Sequence, residues 1–536
     1  MSGPPRLLPV GEAAVSVELG DGIDPLLAGR VRALDEALRR RAPSWLAEAV
    51  PTYRALLVVF DPAARDEAVA LLAALAAEAP AAPAGTPRRH EVPVVYGGET
   101  GPDLEEVAGH CGMEPAEFAR RHAALPYTAF MLGFVPGFAY LGLLPPEMET
   151  PRRRTPRVRV EAGTVAVAGR QTAVYPLRSP GGWNLIGRTP LALFDPRADP
   201  PVRVHPGDEV VFRAVEALPF PGPDEGGADR VEMGDPCCEV VAPGLLTTVQ
   251  DAGRRGQRRL GVPWGGAADA GALAAANGAL GNESGAAGLE CLLQGPTLRF
   301  LRPTRFALAG ARLEPVLERE DLGSWPVPPQ RAVLARPGNV LRFGARRAGC
   351  RAYVAFAGGV DVPPLLGGRG TDLTARFGGF AGRALRAGDR LALGPAPLDA
   401  RDPRAESASG HPIELRAIPG PQDDAFDEGT LAAFFTGAYV VQPESDRVGC
   451  RLRGPALRHR GPAEIVSDGL LPGCVQVPPD GQPIAMGIDG PTTGGYPKIA
   501  TVIGADLARL GQLAPGDTVR FQRVSVDEAL RARGLR

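Results

Sequence analysis

The residues best suited to chemistry crowd towards the C-terminus. SDRVGCRL (445–452), EIVSDG (464–469) and VQVPPDGQPIAMGIDGPTTGGYPKIATVIGADLARL (475–510) gather Asp446, Arg447, Asp468, Gln482, Thr493, Tyr496 and Lys498. On a small barrel, strands and loops this close in sequence can converge at one mouth. Lys498 stands out because it is the only lysine in a chain whose other basic residues are arginine. An ammonium is a compact charge that can lose its proton, and a guanidinium cannot, so a lysine retained in an Arg-rich chain is a candidate for work arginine cannot do. Asp446, Asp468 and Lys498 are therefore taken as catalytic candidates. The sequence after Lys498 is Ile499, which excludes a Walker A loop, and GGYPKIA is not the Met-Lys-Met setting of a biotinylated lysine. No covalently bound biotin is expected on this chain.

Upstream, PRRRTPRVRVEAGTVAVAGRQTAVYPLRSPGGWNLIGRTP (151–190) carries a run of arginines, of which Arg157 and Arg188 are the foremost candidates for bidentate grip on carboxylate or phosphate. Within it, the glycines of SPGGW let backbone amides approach an anion. PGLLTTVQDAGRRGQRRLGVPWGGAAD (243–269) sets Asp251 and Arg254 beside a Gly-Arg-Arg-Gly turn; it reads either as an anion site with Asp251 activating water or as a capping and turn network. FMLGFVPGFAYLGLLP (130–145) reads either as a buried hairpin or as the apolar wall of a ligand pocket. GRQTAVYP (169–176) and GPTTGGYP (490–497) echo each other, placing Gln171 and Tyr175 in one copy against Thr493 and Tyr496 in the other. Related loops of this kind suggest equivalent rims on related barrels.

These candidates need a scaffold, and the pattern supplies one. AAVSVELG (13–20) alternates with a period of two, DPLLAGRVRALDEALRRR (24–41) is apolar on one helical face, and 55–60 followed by 64–79 repeats that order. Positions 1–85 thus predict a small α+β domain, closed by the Pro/Ala/Gly linker 80–87. Beyond it helices are rare, and polar linkers at 219–236 and 394–412 leave three mainly β domains over 86–220, 236–400 and 411–536. VHPGDEVVF (204–212), ARPGNVLRF (335–343), ALRAGDRLAL (384–393) and LAPGDTVRF (513–521) each place a glycine turn before a strand, the mark of an internal repeat. A chain of 536 residues exceeds one core, so several domains are required.

A formal charge of −2 gives no reason to expect nucleic acid or an anionic membrane as partner. No stretch approaches the ~18–20 apolar residues of a membrane span and the N-terminus lacks the apolar core of a signal peptide, so a cytoplasmic location is expected. The seven cysteines show no zinc spacing, and no metal ligands are assigned.

FVPGFAYL, the TPR…AGTVAVAGRQTAVYP run and SPGGWNLIGRTP resemble the B subunit of 5-oxoprolinase, also called allophanate hydrolase subunit 1. PGLLTTVQDAGRRG, AGGVDVP, SDRVGCRL and DGQPI…PTTGGYPKIATVI resemble the C subunit of 5-oxoprolinase, or allophanate hydrolase subunit 2. The resemblance covers nearly the whole chain as a fusion and implies three cyclophilin-like β-barrels. It also implies ATP-dependent opening of 5-oxo-L-proline to L-glutamate with a separate partner, the A subunit of that enzyme, using ATP with Mg2+. By motif it carries over Arg157, Gln171, Tyr175 and Arg188, then Asp251, Arg254, Asp446, Arg447, Asp468, Gln482, Thr493, Tyr496 and Lys498, as site residues. The same modules resemble the carboxyltransferase part of urea carboxylase, and other relatives regulate a histidine kinase without catalysis. One departure is Ala173, where relatives commonly have glycine.

Overall fold

The computed structural model describes residues 4–78, 87–220, 234–396 and 413–535, so the expected linkers at 80–87, 219–236 and 394–412 lie largely outside the described residues. The first unit is an antiparallel four-stranded sheet in the order Arg6–Pro9, Ala14–Glu18, Ala55–Phe60, Leu46–Pro51. Its two inner strands are buried at every position, as a strand must be when both faces are covered. Helices Pro25–Arg41 and Arg65–Glu78 cover one face through Leu34, Leu38 and Leu72. Val10, Val50, Leu57 and Val59 turn the other face onto Leu470, Leu471, Cys474 and Met486, far along the chain.

Two seven-stranded closed barrels follow the mainly β expectation. The first runs Gln171–Val174, Ala139–Gly142, Pro126–Leu132, Glu209–Ala214, Arg89–Tyr96, Asn184–Arg188, Thr164–Ala168. The second runs Ile413–Pro419, Lys498–Val502, Cys474–Gln476, Ile484–Met486, Gly449–Arg453, Ala438–Val441, Thr518–Arg523. In each, the first strand of the unit pairs parallel with the last, Arg89–Tyr96 with Glu209–Ala214 and Ile413–Pro419 with Thr518–Arg523. Between them lies a unit of one six-stranded and one five-stranded sheet around Phe300, Phe306, Leu341 and Phe356, whose sheets do not join into one ring.

The repeated glycine turns have one geometry. Gly207, Gly338, Gly388 and Gly516 all have φ between 86° and 95°, where a Cβ is strained. The Asp or Asn that follows each glycine accepts a backbone N–H from three residues earlier: Asp208 from His205, Asn339 from Arg336, Asp389 from Arg386 and Asp517 from Ala514, at 2.7–2.9 Å. This local bond closes the turn that launches each strand.

Candidate functional site

The first barrel presents an aromatic cluster to the rest of the chain. Strand Pro126–Leu132 supplies Phe130, strand Ala139–Gly142 supplies Tyr140, the connection between them supplies Phe138, and Tyr175 and Trp183 follow the Gln171 strand. Ring centroids lie 4.9 Å apart for Phe138 and Tyr140, 5.2 Å for Phe138 and Tyr175, and 6.0 Å for Tyr140 and Trp183. Tyr53 joins from the first unit, 5.3 Å from Phe130, and its hydroxyl accepts a bond from Gln171 Nε2. Gly181 admits this packing, because a Cβ there would sit 2.3 Å from the Tyr175 hydroxyl oxygen. Burial holds the phenols of Tyr53, Tyr140 and Tyr175 above the usual tyrosine range, so they stay neutral donors.

The second barrel closes the seam from the opposite side. Thr493 pairs with Gly469, and Asp468 with Gly494, in a short two-stranded ladder. A Cβ on Gly133 would come 2.0 Å from Thr493 Oγ1, so only glycine lets the two barrels meet there. The buried Thr493 hydroxyl lies beside that of Tyr140. Behind this ladder Lys498 Nζ stands 3.4 Å from Asp468 Oδ2, both side chains wholly buried. Gln422 links them, donating from Nε2 to Asp468 Oδ2 at 3.4 Å and accepting the Lys498 backbone N–H at 3.3 Å. Half-buried Tyr496 borders the seam, its phenol also pushed up by burial.

The halves that meet here have separate relatives. Carboxyltransferase domain, subdomain C and D, matches residues 5–204, and carboxyltransferase domain, subdomain A and B, matches residues 260–523. The C subunit of 5-oxoprolinase from Escherichia coli (strain K12) is 40% identical over 299 residues, covering 55% of this chain and 94% of that protein. The chain belongs to this carboxyltransferase-domain family. The B subunit of 5-oxoprolinase from Bacillus subtilis (strain 168) is 36% identical over 219 residues, 38% of this chain and 90% of that protein. Urea amidolyase of Lachancea kluyveri is 33% identical over 326 residues, 55% of this chain and 17% of that protein. The crystal structure of TTHA0988 superposes with a TM-score of 0.82 at 36% identity, covering 95% of this chain and 99% of that one. A B-like half is thus fused to a C-like half.

Of the residues read from sequence, the seam between these halves brings together Gln171, Tyr175, Asp468, Thr493, Tyr496 and Lys498. The others lie elsewhere. In the B-like half, Arg157 donates to Asp103 at 2.7 Å, and Arg188 bonds the Ala162 carbonyl and covers Phe220. In the C-like half, the Asp251 carboxylate is filled by the backbone amides of Gly253, Arg369 and Gly370. Arg254 bonds the carbonyls of Leu365 and Gly370 over the Phe377 ring. Both carboxylate oxygens of Asp251 are engaged by backbone amides, the arrangement of a turn network. Arg447 makes a bidentate pair with Asp489 and a third contact with Glu290 at 2.6 Å, which locks the middle unit to the second barrel. Asp446 caps the amides of Val448 and Gly449, and Gln482 caps Gly454. These five, with Arg157 and Arg188, are tied into the scaffold.

Sequence reasoning passes over Tyr53 and Gln422, which belong to stretches that read only as scaffold. Tyr53 meets Gln171 across 118 positions, and Gln422 meets Asp468 and Lys498 across 46 and 76, separations that no local spacing foretells.

Proposed function

We propose that this chain is the fused B–C component of an ATP-dependent 5-oxoprolinase, opening 5-oxo-L-proline to L-glutamate with a separate A subunit, and that the site lies at the seam between the halves. The observation that carries this is the convergence of the two echoed loops. Gln171 and Tyr175 of one barrel and Thr493 and Tyr496 of the other come from matching motifs and border one seam. A fusion fixes such a seam at high effective concentration.

An unstrained lactam is a poor electrophile. In the proposed reaction its amide oxygen attacks the γ-phosphorus of ATP, ADP leaves, and water adds to the activated ring carbon. The ring C–N bond then breaks as the nitrogen takes a proton, which leaves an acyl phosphate, and a second water hydrolyses that to the free carboxylate and phosphate. Neutral phenol and threonine hydroxyls at a buried seam suit the developing oxyanion, since donors act more strongly where water is excluded. Lys498 and Asp468 act as positioning residues in this reading, because both are buried behind the Thr493 strand. With no Walker A loop in the chain, nucleotide binds in a non-standard way or on the A subunit. Among the described residues no group of three or more His, Cys, Asp or Glu could hold a metal ion, so Mg2+ is assigned to the nucleotide's phosphates. A cytoplasmic setting fits this reading, and no helix among the described residues is long and apolar enough to cross a membrane.

The test is L-glutamate release from 5-oxo-L-proline and ATP by this chain mixed with its candidate A subunit, beside each protein alone. Release only by the mixture is expected. The family description and the urea amidolyase relative favour a second reading, carboxyl transfer from a biotin carrier to an amide nitrogen. No release by well-folded components, with carboxyl transfer from a separate biotinylated carrier, would replace the first reading by the second.

A further inference from the structure

We propose that the cleft between the middle unit and the second barrel binds a short-chain aliphatic carboxylate, with the acid group on Arg351 and the carbon chain against the barrel. The site goes beyond the oxoprolinase reading and does not depend on it, since the cleft shares no residue with the seam. It takes up the SDRVGCRL motif, whose Asp446, Arg447 and Cys450 line the cleft and are left unused by the seam.

Arg351 is the reason to expect an acid. It extends from strand Ala348–Phe356 to the end of helix Leu507–Gly511, and its side chain is only 8% exposed. Among the described residues its guanidinium finds one hydrogen-bond acceptor, the Gly511 carbonyl, reached from Nη1. Glu290 Oε1 stands 3.4 Å from Nε, yet that carboxylate is already occupied, by Arg447 at 2.6 Å, the Tyr353 hydroxyl at 2.7 Å and the Ala268 N–H at 2.9 Å. Arg447 differs, because its fork closes on Asp489 and the Gly266 carbonyl. Among the described residues, Nη2 of Arg351 is thus left without an acceptor at the wall of the cleft. A buried guanidinium with free donors favours a planar anion that accepts parallel bonds.

The rest of the cleft fits a carbon chain. Pro472, Met486, Ile488, Leu507 and Leu510 form its walls. Its enclosed volume of about 50 Å³ is room for roughly three to five water-sized groups, the head and first carbons of a small acid. Burial pushes the Cys450 thiol up to about 12, so it meets the chain as an uncharged wall. Asp446 at the mouth is exposed and spends Oδ1 on the amides of Val448 and Gly449, and solvent screens its charge. A dicarboxylate such as glutamate would set its second charge against apolar walls, which confines the site to monocarboxylates.

Ligand-observed NMR titration of the full chain with acetate, propionate, butyrate and butyramide tests this. Affinity should rise about three- to fourfold with each added methylene, the value of one methylene leaving water. Butyramide, the same chain without the charge, should bind about tenfold more weakly than butyrate. Arg351→Gln should abolish the preference for butyrate over butyramide. Leu507→Trp, which fills the slot and touches no charge, should abolish butyrate binding, and urea titration reports whether each variant is folded. No saturable binding of butyrate by wild type, equal binding of butyrate and butyramide, or a butyrate affinity unchanged in either folded variant overturns the proposal. Displacement of bound butyrate by equimolar L-glutamate overturns it as well. If Arg351→Gln does not fold, Leu507→Trp decides the slot and the butyramide comparison decides the charge.

Discussion

At the scale of single residues, the lone lysine is the clearest signal in the sequence, and its surroundings change what the signal means. Lys498 and Asp468 have no exposed side-chain surface, so each charge depends on the other. Removing one partner of a buried pair leaves an uncompensated charge, at a cost of about 3–5 kcal/mol, whereas replacing both is far milder. Lys498→Met should therefore lower unfolding stability by about that amount in urea titration. The double variant Lys498→Met with Asp468→Asn should regain at least half of it. Equal losses in single and double variants would show that the two charges are not coupled. Arginine cannot substitute freely here, because a planar guanidinium at full burial has five donors to satisfy where Asp468 offers the Lys498 ammonium one partner. That constraint offers a physical reason for a lysine to persist in so arginine-rich a chain.

At the scale of elements, the helix Pro115–Ala124 packs Phe118 and Ala119 into the core of the first barrel and adds a polar tie through His122. His122, wholly buried, bonds the Tyr96 hydroxyl at 2.8 Å and the Thr172 hydroxyl at 2.9 Å, and lies 4.7 Å from the Phe212 ring, so it ties the helix to three strands. Burial pushes its pKa down to about 3 from about 6.5, so the folded barrel holds it neutral. Its folded pKa is depressed, so its contribution is fully present above about pH 6.5 and is lost as the pH falls towards 3, at about 1.4 kcal/mol per pH unit. Between pH 6.5 and 5, wild type should lose that much more stability per pH unit than His122→Phe, followed by tryptophan fluorescence in urea. Parallel losses would mean that the histidine takes up its proton in the folded state. This bond set is not legible in the sequence, where His122 sits in a plain helical stretch. The repeated glycine turns are legible, because both the left-handed glycine and the capping Asp or Asn are local. The same contrast runs through the site. Tyr175 and Thr493 emerge through an echo between short motifs, while Tyr53 and Gln422 acquire meaning only when distant segments close on each other. Asp251 and Arg254 show the converse ambiguity, since a Gly-Arg-Arg-Gly turn offers the same residue types to a ligand and to its own backbone.

At the scale of the molecule, that same turn region is where the units meet. Gly256 N–H and Trp264 Nε1 both donate to Glu48 of the first unit, the latter at 3.0 Å. Leu260 accepts from Gly137 of the first barrel at 2.9 Å. Arg258 donates to the carbonyls of Leu470 and Pro491 in the second barrel, with Glu48 Oε2 4.0 Å from its Nε. Arg258 is fully buried, and burial pushes its pKa down to about 10, so it remains charged at neutral pH with Glu48 as the carboxylate nearest to hand. Glu48 thus satisfies two part-buried donors and balances a buried cation at the point where the B-like and C-like halves are joined. Glu48→Ala removes all three functions, and leaving that charge and those donors unpaired costs about 3–5 kcal/mol. Because the loss falls on the junction and not on any one core, calorimetry of the full chain should show the first unit melting apart from the barrels in Glu48→Ala, where wild type melts with a larger cooperative unit. Glu48→Gln, which keeps an acceptor and loses the charge, should fall between them. A Glu48→Ala chain that melts as wild type does would mean that the apolar contact of Leu57 and Val59 with Leu470 and Leu471 holds the halves without help from this junction.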